Sequence, residues 1–92
     1  MDSITVEHNP SPMKLEAMSV ESWPIWSKEF STFEWTYDSR ETCYILEGEA
    51  LITPHGGGEP VTIQARDLVH FPKGMSCTWE IREPIKKHYL LD

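Results

Sequence analysis

The chain is short of cysteine, of basic residues and of long apolar runs. Two cysteines among 92 residues cannot build a disulfide framework or a cysteine-rich zinc site. Eight Lys and Arg stand against fifteen Asp and Glu, a net charge of −7. That balance argues against a nucleic-acid surface, which needs clustered cations to neutralise phosphates, and against an anionic membrane surface. No apolar run approaches the roughly 20 residues of a spanning helix. The acidic, polar start (MDSIT) lacks the basic and apolar regions of a signal peptide. The chain therefore reads as cytoplasmic, or as a mature form without its targeting segment. Good helix formers are confined to residues 13–18 (MKLEAM), about two turns at most.

What the chain does have is aromatic bulk and alternation. Four Trp, three Tyr and three Phe supply core material for one domain spanning 1–92, and such residues also line pockets. Residues 4–6 suit an edge strand, stopped by Pro10 and Pro12, which remove two backbone donors. Residues 22–26 (SWPIW) read as an irregular segment laid across the core. From Phe30 onward the period is two. Phe33, Trp35 and Tyr37 alternate with Glu34, Thr36 and Asp38, and Met75, Cys77, Trp79 and Ile81 alternate with Ser76, Thr78, Glu80 and Arg82. Residues 41–53 (ETCYILEGEALIT) form a strand with Gly48 inside it, where glycine marks a bulge or a close backbone approach. Further strands are expected at 61–65 and 67–71. Pro84 is expected to end one strand, with another over 85–91. Short strands at 8–12-residue spacing indicate an all-β sandwich or barrel.

The order of these features resembles a known superfamily. Glu41 and Gly48 with six residues between them, then Asp67, Pro72-x-Gly74 and position 77, resemble the two motifs of the cupins, whose fold is an RmlC-like jelly-roll β-barrel. The resemblance covers at least residues 30–90. More narrowly, Trp23-Pro-x-Trp26, Trp35-x-Tyr37, Glu41 to Gly48, Phe71-Pro72-Lys73-Gly74, Cys77-x-Trp79 and Lys87-His88-Tyr89 resemble small cupins grouped with the (S)-ureidoglycine aminohydrolase cupin domain. That likeness implies ureide chemistry, in which a carbon–nitrogen bond is cleaved. It also implies a metal held by three histidines and a glutamate. Here the histidine positions hold Trp35, Tyr37 and Cys77, and only Glu41 remains; Arg66 replaces the glycine before Asp67. The expectation is a barrel with no cofactor. Should Mn, Fe, Ni or Zn bind, Glu41 and Cys77 would be its ligands.

The resemblance turns three strand faces inward and so assembles a small-molecule pocket of Trp35, Cys43, Trp79, Lys87 and Tyr89 around three candidate catalytic residues, Glu41, Cys77 and Tyr37. Apolar walls with a few convergent polar groups suit a small polar metabolite. Glu41 is the candidate general acid or base, its pKa raised by desolvation unless Tyr37 or Lys87 hydrogen-bonds to it. It competes with a structural carboxylate paired to Arg40 or a lysine. Cys77 would attack only as thiolate, and is otherwise a small buried apolar group. A Cys43–Cys77 disulfide is geometrically open but out of place in a cytoplasmic chain. His70 is expected to point outward, His55 to be solvated in its loop, and His88 to lie out of phase with Lys87 and Tyr89. Lys87 either closes the pocket or sits on the surface of an edge strand. Three functions follow: a hydrolase or lyase-type enzyme, a non-enzymatic metal-free binding module, and a structural subunit of a larger assembly. Open sheet edges favour a homodimer.

Overall fold

The computed structural model describes residues 3–92. Seven strands, β1 (Thr5–His8), β2 (Ile25–Lys28), β3 (Ser31–Thr36), β4 (Glu41–Pro54), β5 (Val61–Gln64), β6 (Asp67–Phe71) and β7 (Ser76–Leu91), accompany one short helix, α1 (Pro12–Ala17), and a 3-10 turn over Val20–Ser22. All pairings are antiparallel, in the order β1-β6-β4-β7-β2, with β3 also on β7 and β5 also on β4. This is the all-β, antiparallel architecture that the motifs imply. No helix among the described residues is long and apolar enough to cross a membrane.

Two long strands organise the barrel. β4 and β7 pair along most of their length, and each is shared between two partners on its other side. The start of β4 pairs β6 and its end pairs β5; the start of β7 pairs β3 and its end pairs β2. The division falls at Gly48, where the register shifts: Glu47 faces Lys86 but Glu49 faces Glu83. Gly48 has φ +98°, and a Cβ there would lie 2.1 Å from the Pro84 carbonyl oxygen. Only glycine fits that approach.

The same contact corrects the reading of Pro84. It does not end a strand, because it sits in the bulge opposite Gly48, where no ladder donor is needed. β7 therefore runs unbroken for sixteen residues. Residues 25–28 are likewise a regular strand on β7 rather than an irregular cover. Arg66 takes the left-handed conformation (φ 76°) that its position demands, donating from its N–H to the Ile45 carbonyl at 2.8 Å.

Other expectations hold. α1 falls within a residue of the helix-forming stretch and is capped by Ser11, whose Oγ accepts from the Lys14 N–H. β1 is an edge strand on β6 alone. Asp67 anchors that edge: its carboxylate accepts from the Gln64 N–H and pairs with His8 Nδ1 at 2.7 Å. Alternation along the strands gathers Cys43, Ile45, Ala50, Ile52, Ile63, Ile81 and Ile85 into one core with Tyr37, Phe71 and Trp79.

Candidate functional site

The period of two puts bulky aromatics at one part of the core, and they pack in a connected series. Tyr37 stacks on Phe71 with ring centroids 4.6 Å apart, and Phe71 lies 5.8 Å from Trp79. Trp79 stacks on Phe33 at 5.9 Å and meets Trp26 edge-on at 6.1 Å. The Trp79 indole N–H donates to the Tyr37 hydroxyl oxygen at 3.2 Å. Four of these rings, Trp26, Phe33, Tyr37 and Trp79, wall a cleft of about 290 Å³, which also takes in Trp35, Asp38, Ser39, Glu41, Lys87 and Tyr89.

Two charges are set into this apolar wall. Glu41 begins β4 and is 7% exposed; Lys87, on the neighbouring β7, is 5% exposed. Lys87 Nζ donates to Glu41 Oε2 at 2.7 Å. It also lies 4.8 Å from the ring centroids of both Trp26 and Trp79, within cation–π distance of each. Lys87 is thus a buried cleft residue and not a surface lysine of an edge strand. Glu41 takes its lysine partner, while Arg40 pairs with Asp92. Glu41 Oε1 has no hydrogen-bond partner among the described residues.

The structure brings together most of the residues that the sequence nominated. Tyr37, Trp79, Lys87, Glu41 and Tyr89 all line the cleft. Trp35 does too, but at its rim and 51% exposed, so it is not the core residue that alternation suggested. Its register partner Cys77 is fully buried. Trp35 is paired with Cys77 but stands one residue from the end of β3.

The two thiols lie elsewhere. Cys43 and Cys77 are both 0% exposed, are not among the residues lining the cleft, and are free rather than disulfide-bonded. Burial pushes Cys77 up to about 11, with the Trp79 contact and Lys87 opposing it only in part. Burial likewise pushes Cys43 up to about 12. Burial, then the nearby Glu41 carboxylate, raises the Tyr37 hydroxyl far above the ordinary tyrosine range, so it is a neutral donor at any physiological pH.

Sequence reasoning missed Trp26, Phe33 and Asp38 as cleft residues. Trp26 was visible in the Trp-Pro-x-Trp motif but was assigned to a covering segment. Asp38 alternates out of phase with Tyr37, and only the turn after β3 brings it to the rim. Of the histidines, His70 is exposed against Thr42 and His55 exposed against Thr78. His88 is buried, with Nδ1 donating to the Trp23 carbonyl oxygen at 2.9 Å, because the segment around Trp23 covers that face of β7.

The family model of the EutQ-like cupin domain matches residues 15–89. The chain is a member of that family. This cupin is 50% identical to a DUF861 family protein from Thermotoga maritima, over 98% of this chain and 100% of that one, with a TM-score of 0.94. A putative ethanolamine utilization protein Q from Salmonella typhimurium is 25% identical over 73% of this chain and 53% of its own, TM-score 0.64. The EutQ protein of Clostridium difficile shares the fold at 21% identity, over 94% of this chain and 64% of its own, TM-score 0.64. No curated protein matches significantly. The likeness to the ureidoglycine aminohydrolase group goes no further than the cupin superfamily in these comparisons.

A transition metal needs three or four convergent imidazole, carboxylate or thiolate donors. The donor set of this cupin does not fit one. Glu41 is engaged by Lys87 at 2.7 Å, Cys77 holds its proton outside the cleft, and no group of three or more His, Cys, Asp and Glu converges among the described residues.

Proposed function

We propose that this cupin binds a small polar metabolite in its aromatic cleft, with Glu41 accepting the ligand's hydrogen bond or proton and Lys87 serving as a fixed counter-charge. One observation carries this reading: a buried ion pair lines an open cleft while one carboxylate oxygen is left without a protein partner. Replacing a buried ion pair by apolar groups of similar volume is often neutral or stabilising. Stability alone therefore gives little reason to keep Glu41 and Lys87 against indole and phenol rings. A ligand that uses Oε1 gives one.

The enzymatic version uses the same atoms. Glu41 Oε1 takes a proton as general base, and the Tyr37 hydroxyl, whose oxygen accepts from Trp79, keeps its own proton free to donate. This suits a hydrolase or lyase-type reaction, including the carbon–nitrogen cleavage that the ureide likeness implies. Nothing in the position of Cys77 supports a nucleophilic thiol. The open outer edge of β1 supports a homodimer, which sedimentation of the purified protein tests.

A melting-temperature screen against small amines, hydroxy acids, ureides and sugars tests the reading. A ligand at 100 times its dissociation constant adds about 2.7 kcal/mol, a rise of several degrees in a domain this size. The shift is expected to vanish in Glu41→Gln and in the rim variant Trp35→Ala. A screen with no shift on the wild-type protein overturns it.

A further inference from the structure

We infer that the ligand of this cleft is a small organic ammonium. The inference rests on the small-molecule reading above and names its ligand class. Among the residues lining the cleft, Asp38 and Glu41 are anionic and Lys87 is the one cation, a formal excess of one negative charge. The Lys87 charge is already matched by Glu41 at 2.7 Å and faced by two indole rings. No lining cation is left to hold a carboxylate or a phosphate. Two acceptors are left: Glu41 Oε1, and the exposed Asp38 carboxylate, which makes no ion pair or side-chain hydrogen bond among the described residues.

The walls point the same way. Two of these rings already face one cationic side chain, since Lys87 Nζ sits 4.8 Å from each centroid, within the range of a cation–π contact. Trp35, half exposed at the rim, and Tyr89 present further aromatic surface to the same cleft. A net charge of −7 draws cations toward the molecule and repels small anions. At about 290 Å³ the cleft lies just below the usual range for drug-sized ligands, so the ligand has few heavy atoms. An N–H-bearing ammonium satisfies the acceptors, and a short alkyl chain covers the rings.

Three probes of one skeleton separate charge from shape: 3-methylbutylammonium, 3-methylbutanol and 3-methylbutanoate. Saturable quenching of tryptophan fluorescence in the full chain reads their binding, with the melting shift as a second measurement. The expected order is ammonium, then alcohol, then carboxylate, with roughly tenfold between the first two, the weight of one cation–aromatic contact. Asp38→Asn is expected to weaken the ammonium severalfold and leave the alcohol unchanged. Asp38 is exposed and makes no ion pair or side-chain hydrogen bond among the described residues, so this variant is expected to fold. An alcohol that binds as well as the ammonium, or a carboxylate that binds better, overturns the inference and leaves the small-molecule site standing. So does a ligand from the wider screen when none of the three binds. If nothing at all binds, both readings fall together.

Discussion

One barrel holds two kinds of interior. The aliphatic part, built from Ile45, Ala50, Ile52, Ile63, Ile81 and Ile85, is sealed, with every member at most 2% exposed. The aromatic part, built from Tyr37, Phe71, Trp79, Trp26 and Phe33, is open to a cleft and contains a lysine–glutamate pair. The strands β4 and β7 run through both, so backbone architecture does not separate them. Side-chain chemistry does. Branched aliphatics interdigitate to close packing. Flat rings with polar edges leave faces and a gap that a ligand can use. The first region is closed to solvent, and the second presents polar groups to a cleft.

The largest effect should come from breaking the charge pair in the aromatic region. Glu41→Gln or Lys87→Met alone leaves one buried charge uncompensated, and each is expected to cost about 3–5 kcal/mol. The double variant is expected to recover most of that loss. Denaturant unfolding of the four proteins checks it, and a double variant as weak as the sum of the singles would show that the pair is not coupled.

In the sealed region, Ile52→Ala is expected to cost about 2–5 kcal/mol through lost burial and a residual cavity. It should leave ligand affinity unchanged, because Ile52 does not line the cleft. Chemical denaturation and fluorescence titration on one sample measure both.

Alkaline pH probes the two buried thiols of the core. Cys77 is held up to about 11 and Cys43 up to about 12 by burial, whereas a thiol in the unfolded chain titrates near pH 8.5. The unfolded state therefore binds fewer protons above that pH. Stability should be flat below about pH 8 and then fall by up to about 1.4 kcal/mol per pH unit per thiol as pH rises toward the folded values. Melting temperatures from pH 7 to pH 11 test this, and Cys77→Ala should have a shallower alkaline limb than the wild type.

The smallest stability effect is expected at the rim. Trp35→Ala should change stability by no more than about 0.5 kcal/mol, as for an exposed position, while weakening ligand binding. A large loss of stability would place Trp35 in the core and erase the distinction between the two regions.

How far these residues were legible depended on what set their positions. Alternation put Cys43 with Glu41, and Cys77 with Met75 and Trp79, on shared faces because strand geometry reverses every residue, whatever the partner; the family resemblance turned those faces inward. It turned Trp35 inward as well and overstated its burial, because neither rule says where a strand runs out. Pro84 was misread because its local preference to break a strand is real, yet Gly48 on the partner strand opens a bulge that accommodates it. Lys87 could be read either way, since a lysine's charge favours solvent and only a carboxylate across the ladder reverses that.

The amino-acid sequence by itself determined the all-β class, the two-faced strands and the acidic balance, and it carried the motifs by which the chain resembles the cupins. The first three follow from local periodicity, from turn chemistry and from counting, which need no knowledge of partners. Tertiary structure alone decided that Glu41 meets Lys87 across forty-six residues, that both cysteines are buried and outside the cleft lining, and that Asp38 reaches its rim. Those are contacts between distant segments, set by the register of β4 on β7 and by the turn after β3. A side chain's neighbours, and hence its charge state and use, are fixed only when that register is.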